Sequence, residues 1–118
     1  MPREILLLKD ILKAVDMVIG FMNNVTESEF HENNLLRSGI VYQLIIIGEA
    51  VGGIPDDIKD MAPSVPWRQI RGFRNYAVHQ YFSVDWNIVW ETATSELLPL
   101  RVEVEGLLRS LESASEVD

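Results

Sequence analysis

The sequence predicts an all-α protein, an up-and-down bundle of four main helices with one or two short extra helices, in a single domain over residues 1–118. Apolar residues recur at intervals of three and four, which is the period of a helix with one buried face. Capping residues, prolines and glycines separate the apolar segments. No segment alternates apolar and polar side chains over the length of a strand, so a bundle is the expected architecture.

The first half of the chain contains two long helical patterns. The first is a stripe of apolar residues: Ile5, Leu8, Leu12, Val15, Ile19 and Met22. After it, Thr26–Glu29 has the spacing of a capping box. A second helix is expected to begin after Asn33 and Asn34 and to end at Gly52-Gly53. Its middle, GIVYQLIIIGEA, is apolar nearly all round, so this helix is either central in the bundle or covered by a second subunit.

Prolines mark where the predicted helices in the second half of the chain begin, end or bend. The segment IPDDIKDMAP predicts a short helix between prolines, and Pro66 suits the first turn of a helix with the sequence WRQIRGFRNYAVHQ. The pattern breaks at YFSVD, where Asp85 is expected to cap the last long segment. Because Pro99 lies inside that segment, we expect it to kink the helix or to divide it into two.

The charges are unevenly distributed. The chain carries a net charge of −8, which disfavours general coating of nucleic acid. From Met61 to Val84, however, there is no Asp or Glu, and this window contains four residues that can carry positive charge: Arg68, Arg71, Arg74 and His79. A local basic site on an acidic body would admit an anion at one place and repel it elsewhere.

Composition also bears on compartment and metal chemistry. The chain has no cysteine, which excludes disulfides and thiolate metal sites. Charges interrupt the apolar residues of EILLLKDILKAV, unlike a signal peptide, and the run IVYQLIIIG is shorter than the roughly twenty residues of a membrane span. We therefore expect a soluble, cytoplasmic protein with no membrane association.

The helix after Pro66 separates two kinds of residue when placed on a helical wheel. Three apolar residues fall on one side and are expected to face the core: Ile70, Phe73 and Ala77. Four polar residues form a stripe on the other side, with Gly72 beside it: Arg68, Arg71, Asn75 and His79. Glycine disfavours a helix relative to alanine, and one use for it here is the close approach of a ligand or a second backbone.

Arg74 lies between these two faces, about 140° from His79 on an ideal helix. Their side chains converge only if the helix unwinds near His79 or if a second copy of the chain supplies the partner group. A two-fold axis beside Gly72 would bring two Arg–His sets to one cleft.

These residue types suit phosphoryl chemistry on RNA. Histidine exchanges protons near neutral pH, arginine stabilises charge developing on a phosphoryl group, and Asn75 can orient a neighbour. RNA supplies its own nucleophile, the 2′-hydroxyl, so the reaction needs neither metal nor cofactor, and no metal-ligand spacing is present. From the residues alone, a solvated arginine face and a histidine that caps the helix remain alternatives.

The segment RNYAVHQYF, Arg74 to Phe82, resembles the Arg-x4-His-x-Tyr signature of the HEPN superfamily, and specifically its HepT-like (DUF86) branch. Four further blocks stand in the order and spacing of that family: IIIGEA, VPWRQIRGFRN, VDWNIVWE and LLPL. The resemblance covers roughly Ile5 to Leu111.

This resemblance implies a homodimeric, metal-independent ribonuclease with its site in the dimer cleft. It further implies a toxin paired with a minimal nucleotidyltransferase (MNT-type) antitoxin. By position, Arg74 and His79 match the catalytic arginine and histidine, Asn75 matches the polar residue that follows the arginine, and Tyr81 matches the tyrosine that the antitoxin blocks by transferring AMP. Arg68 and Arg71 are the expected contacts to RNA phosphate.

Two other interpretations of the sequence assign the protein a function other than RNA cleavage. The chain can be a non-catalytic helical binding module that docks a nucleotidyltransferase through the Tyr81 region, or an ordinary dimeric bundle. Glu49, an acid within the apolar IIIGEA segment, is expected to hold Arg71 or Arg74 rather than to act in chemistry, because a lone carboxylate there would be costly.

Overall fold

The computed structural model describes residues 2–117, with side chains described for 2–114, and confirms the all-α prediction. No strand occurs in this part of the chain. Its α-helices are α1 Arg3–Met22, α2 Glu27–Glu32, α3 Asn34–Gly52, α4 Asp56–Lys59, α5 Trp67–His79, α6 Trp86–Glu91 and α7 Leu97–Val117. The four long helices are the predicted ones, and the short helices α2, α4 and α6 exceed the one or two expected.

Helix α3 is the centre of the bundle. It packs against α1 along one side and against α5 along another, and α7 packs against α1. By length and hydropathy, α3 is the one helix in the described residues that would suit a membrane span; α1 and α5 pack along it, and 39% of its apolar window is buried. Between α5 and the α6–α7 segment an apolar groove remains, lined by Phe73, Ile88 and Leu100 among others.

Side chains cap the N-termini of α2 and α3, the first of them as the sequence predicted. The Thr26 hydroxyl accepts a hydrogen bond from the Glu29 backbone N–H at 3.1 Å, as the capping-box spacing requires. Asn33 caps α3 through its side-chain oxygen, which accepts from the Leu36 N–H at 2.9 Å.

Pro99 lies just downstream of the point where the last segment divides into two α-helices, α6 and α7, which is one of the two expected outcomes. It is the third residue of α7, which follows α6 through a π-helical turn, Thr92–Glu96. Proline has no N–H, and its ring collides with the carbonyl four residues earlier in a regular helix. The π-helical turn directly upstream widens the helix locally and accommodates the proline ring without a loop.

Gly48 is the position where α5 comes closest to α3. A Cβ atom built on Gly48 would lie 2.3 Å from Cβ of Arg74 and 3.3 Å from the carbonyl oxygen of Ile70. Non-bonded carbon atoms do not approach so closely, so the α3–α5 contact requires glycine at this position. By contrast, nothing in the described residues lies within 4 Å of a Cβ built on Gly72, the glycine for which the sequence suggested a close approach.

Replacing Gly48 by alanine is therefore expected to push α5 away from α3. We expect Gly48→Ala to lower the free energy of unfolding by about 1–3 kcal/mol, the usual cost of overpacking. The control is Gly20→Ala in α1, where a Cβ would meet nothing within 4 Å. That substitution should raise stability by about 0.5–1 kcal/mol through helix propensity. Urea unfolding followed by circular dichroism measures both, and equal effects would contradict the assignment.

Candidate functional site

The candidate site lies along the antiparallel pair of helices α3 and α5. Three contacts set the alignment: Gly52 meets Arg71, Gly48 meets Arg74, and Ser38 meets Tyr81 just beyond the end of α5. Residues near the C-terminus of α3 therefore face the middle of α5. Residues near the N-terminus of α3 face the segment that follows α5.

Arg74 is held on both sides. Its Nε and Nη2 atoms both donate to Oε1 of Glu49, in a charge-assisted contact with the carboxylate. Its Nη1 atom donates to Oδ1 of Asn75 at 2.9 Å. The Arg74 side chain is only 24% exposed, so its stem is packed while its guanidinium reaches the surface. The structure thus brings Glu49, Arg74 and Asn75 into one connected group.

Arg71 joins the same group from one turn earlier in α5. Its Nη1 atom donates to the carbonyl oxygen of Gly48 at 3.0 Å and lies 3.7 Å from Oε2 of Glu49. A Cβ on Gly52 would fall 2.8 Å from the guanidinium carbon of Arg71, so this glycine leaves room for the guanidinium. A cation beside the C-terminal turn of α3 also interacts favourably with the helix dipole.

The predicted division of α5 into two faces is confirmed. Ala77 is buried, and Ile70 and Phe73 pack against the core. The opposite stripe is exposed at Arg68, Gly72, Asn75 and His79, with Arg71 partly covered.

Helix α5 remains regular up to its last residue, His79, so it does not unwind to bring His79 toward Arg74. No hydrogen bond joins these two side chains among the described contacts. Of the two routes to convergence that the sequence offered, local unwinding within one chain is not observed.

Tyr81 begins a 3₁₀ turn, Tyr81–Ser83, directly after α5. Its hydroxyl donates to the Ser38 hydroxyl oxygen at 3.2 Å, and its side chain is otherwise accessible. The next residue, Phe82, is fully exposed. The turn therefore presents two aromatic side chains at the end of the helix that carries the arginines.

Tyr76 packs against the core, with its ring centroid 6.0 Å from that of Phe73. Its hydroxyl accepts a hydrogen bond from the Asp85 N–H at 2.8 Å. Asp85 itself caps α6, so Tyr76 ties the end of α5 to the start of α6.

Sequence reasoning missed two members of this site. Ser38 is an ordinary serine in a helix, and only its contact with Tyr81 reveals its part. Gly48 was overlooked in favour of Gly72, although its position directly before Glu49 was a usable signal. Glu49 was expected to partner Arg71 or Arg74, and it contacts both.

The absence of acids between Met61 and Val84 does not make the site free of acids, because α3 supplies Glu49. Among the side chains that the structure describes, no three His, Asp or Glu residues gather as they would around a metal ion.

Comparison with known proteins assigns the chain to a family. The family model described as "Ribonuclease HepT-like" matches residues 11–107, which include every site residue named above. No solved structure matches the chain.

Curated relatives agree with the family model. The chain is 38% identical over 109 residues to "Putative RNase MJ1216" of Methanocaldococcus jannaschii, covering 92% of this chain and 90% of that protein. It is 32% identical over 102 residues to "Putative RNase TTE0752" of Caldanaerobacter subterraneus, covering 86% of this chain and 91% of the relative. It is 31% identical over 100 residues to "Probable ribonuclease HepT" of Thermococcus cleftensis, covering 85% of this chain and 91% of that protein. The chain therefore belongs to the HepT-like ribonuclease family of the HEPN superfamily.

Proposed function

We propose that the protein is the toxin of a toxin–antitoxin pair, a metal-independent ribonuclease that is neutralised when a minimal nucleotidyltransferase antitoxin transfers AMP to Tyr81. The observation that carries the proposal is the exposed polar stripe of α5 with Arg74 at its border, in a chain that belongs to a ribonuclease family. We place its action in the cytoplasm, where RNA is abundant.

RNA binding is assigned to the arginines of α5. Arg68 is exposed and Arg71 is partly exposed, so both guanidinium groups can reach a phosphate in solution. The whole chain carries a net charge of −8, so the surface away from α5 repels a polyanion, which confines binding to this helix. Affinity should therefore fall steeply with salt, as it does for proteins that bind through phosphates.

The proposed reaction is transesterification followed by product release. His79 takes the proton from a 2′-hydroxyl, and the resulting oxygen attacks the adjacent phosphorus atom. The bond to the 5′-oxygen breaks, and protonated His79 supplies the proton that the leaving oxygen needs. Arg74 stabilises the negative charge on the phosphorane. The products are a 2′,3′-cyclic phosphate and a 5′-hydroxyl.

A homodimer is part of the proposal because one subunit leaves Arg74 and His79 apart. On the regular helix α5 they point about 140° away from each other. A second copy across a two-fold axis beside Gly72 would complete each site with a residue from the other subunit. The open space around Gly72 is compatible with a backbone approaching there.

Tyr81 is proposed as the position where the toxin is switched off. Its phenolic oxygen would attack the α-phosphorus of ATP, lose its proton and release pyrophosphate. Because Tyr81 follows His79 by two residues, the added phosphate would lie beside His79 and would compete with RNA for the site. Ser38 holds the hydroxyl in the unmodified protein and must release it first.

A second candidate function is a binding module without catalysis. The fully exposed Phe82 beside an accessible Tyr81 favours this alternative, because exposed aromatic side chains are common in docking surfaces. In that case the Tyr81 region binds the nucleotidyltransferase and the protein leaves RNA intact.

The first prediction concerns RNA cleavage without metal. Wild-type protein should cleave RNA in EDTA and leave 2′,3′-cyclic phosphate ends, because the nucleophile is the 2′-hydroxyl of the substrate. His79→Ala and Arg74→Ala should each lower kcat/KM by about 10²–10⁴-fold. His31→Ala, the other histidine of the chain, is the control and should remain active. Intact RNA with the wild-type dimer would refute the ribonuclease proposal.

The second prediction concerns the dimer. Gly72→Gln should shift the protein toward monomer and abolish RNA cleavage, because a long side chain would stand where the second subunit is proposed to approach. Gly20→Gln adds the same side chain at another open helical glycine and should leave the dimer intact. Sedimentation equilibrium distinguishes the two, and a fully dimeric Gly72→Gln protein would refute the placement of the axis.

The third prediction concerns Tyr81. Incubation with ATP and the proposed minimal nucleotidyltransferase antitoxin should add AMP to the wild-type protein and stop RNA cleavage. Tyr81→Phe should not be modified and should stay active, whereas Tyr42→Phe, which removes another exposed tyrosine hydroxyl, should behave as wild type. Intact mass and peptide mapping give the site. AMP on Tyr81 with no RNA cleavage by unmodified protein would favour the binding module.

A further inference from the structure

We infer that Glu49 is a positioning residue for the ribonuclease site, which fixes the Arg74 guanidinium for the scissile phosphate and at the same time weakens RNA binding. The inference rests on the proposed function and assigns a role to a residue outside the Arg-x4-His-x-Tyr signature. Glu49 comes from α3, whereas the signature lies on α5 and the turn after it.

The hydrogen-bond arrangement of Arg74 supports the positioning role. A guanidinium group has five N–H donors. Among the described contacts, Glu49 accepts from Nε and Nη2, and Asn75 accepts from Nη1. Two N–H groups, one on Nη1 and one on Nη2, therefore remain for an anion. Contacts on two sides prevent the guanidinium from rotating, so its remaining donors point in a defined direction.

The packing beneath the guanidinium limits its movement further. The Cβ of Arg74 rests on the backbone of Gly48, and the next residue of α3 is Glu49. Arg71 contacts the same carboxylate at 3.7 Å and also binds the Gly48 carbonyl. One carboxylate thus bridges both arginines, and pre-organisation of this kind spares the enzyme from ordering a long side chain during the reaction.

The same arrangement is expected to weaken RNA binding. The Glu49 side chain is about half exposed, at 51%, so its negative charge acts in the same solvent-facing region that a phosphate would enter. At a few ångströms, and within the Debye length, such a charge opposes an incoming phosphate. Glu49 should therefore raise kcat and raise Kd for RNA. A residue that merely stabilised the fold would not change these two quantities in this combination.

Three variants separate the positioning of Arg74 from the negative charge of Glu49. Glu49→Ala removes both the positioning contact and the charge. We expect kcat to fall about tenfold while RNA binds about threefold to tenfold more tightly at low salt. Glu49→Gln removes the charge but keeps an oxygen that accepts from Nε, so RNA should bind as tightly as with Glu49→Ala while kcat is partly retained. Asp10→Asn, at an exposed residue of α1, changes the net charge equally and should leave kcat and Kd at wild-type values.

A double-mutant cycle tests whether Glu49 acts through Arg74. In an Arg74→Ala background, Glu49→Ala should have no further effect on kcat, because there is no guanidinium left to position. An independent readout is the NMR signal of the Arg74 side-chain N–H at Nε. The signal should show slow exchange with solvent in the wild-type protein and fast exchange in Glu49→Ala.

The outcomes distinguish this inference from the proposed function. Intact RNA with wild-type protein would refute the ribonuclease proposal, and the NMR signal and the RNA Kd would then test the remaining claims about Glu49. Cleavage by the wild type with an unchanged kcat in Glu49→Ala, or with equal losses in both backgrounds, would overturn the inference alone. Looser RNA binding by Glu49→Gln would also overturn it.

Discussion

The contact between Gly48 of α3 and Arg74 of α5 is the constraint on which the arrangement of the site depends. Because Gly48 has no side chain, the stem of Arg74 rests on the α3 backbone, and its guanidinium meets Glu49, the next residue. One turn earlier, Arg71 reaches the Gly48 carbonyl. A single close approach of two helices thus fixes both arginines, and any residue that separates the helices would displace them together.

The charges around α5 in the fold differ from those in the sequence segment that forms it. Eighteen acidic residues give the chain its net charge of −8, and none lies between Met61 and Val84. In the fold, one acid nevertheless stands among the arginines, and it arrives from α3. The effect of charges is local, since the Debye length in cells is about 8 Å. An RNA phosphate near α5 would therefore respond mainly to the balance of three arginines, Arg68, Arg71 and Arg74, against Glu49.

Much of the fold was predictable because its signals are local. Thr26 and Asp85 cap the helices that their positions indicated, and the two faces of α5 follow from a helical wheel. Contacts between helices were harder to predict, because they depend on how two helices align. The choice of Gly72 over Gly48 is the clearest example: both are helical glycines, but only the helix pairing shows which one is crowded. The hydrogen bond of Tyr76 is another example, since its partner is a backbone N–H beyond the end of the helix.

The two signature residues that are proposed for chemistry are held very differently. Arg74 is packed, paired with Glu49 and bonded to Asn75, whereas His79 is exposed at the last position of α5. A general base must stand within hydrogen-bond reach of the proton that it takes. The position of Arg74 is fixed within one subunit, but that of His79 is not, so the histidine needs a second subunit or the RNA to fix it. The proposed dimer supplies such a surface, and the subunit interface would then control catalysis by ordering His79 rather than Arg74.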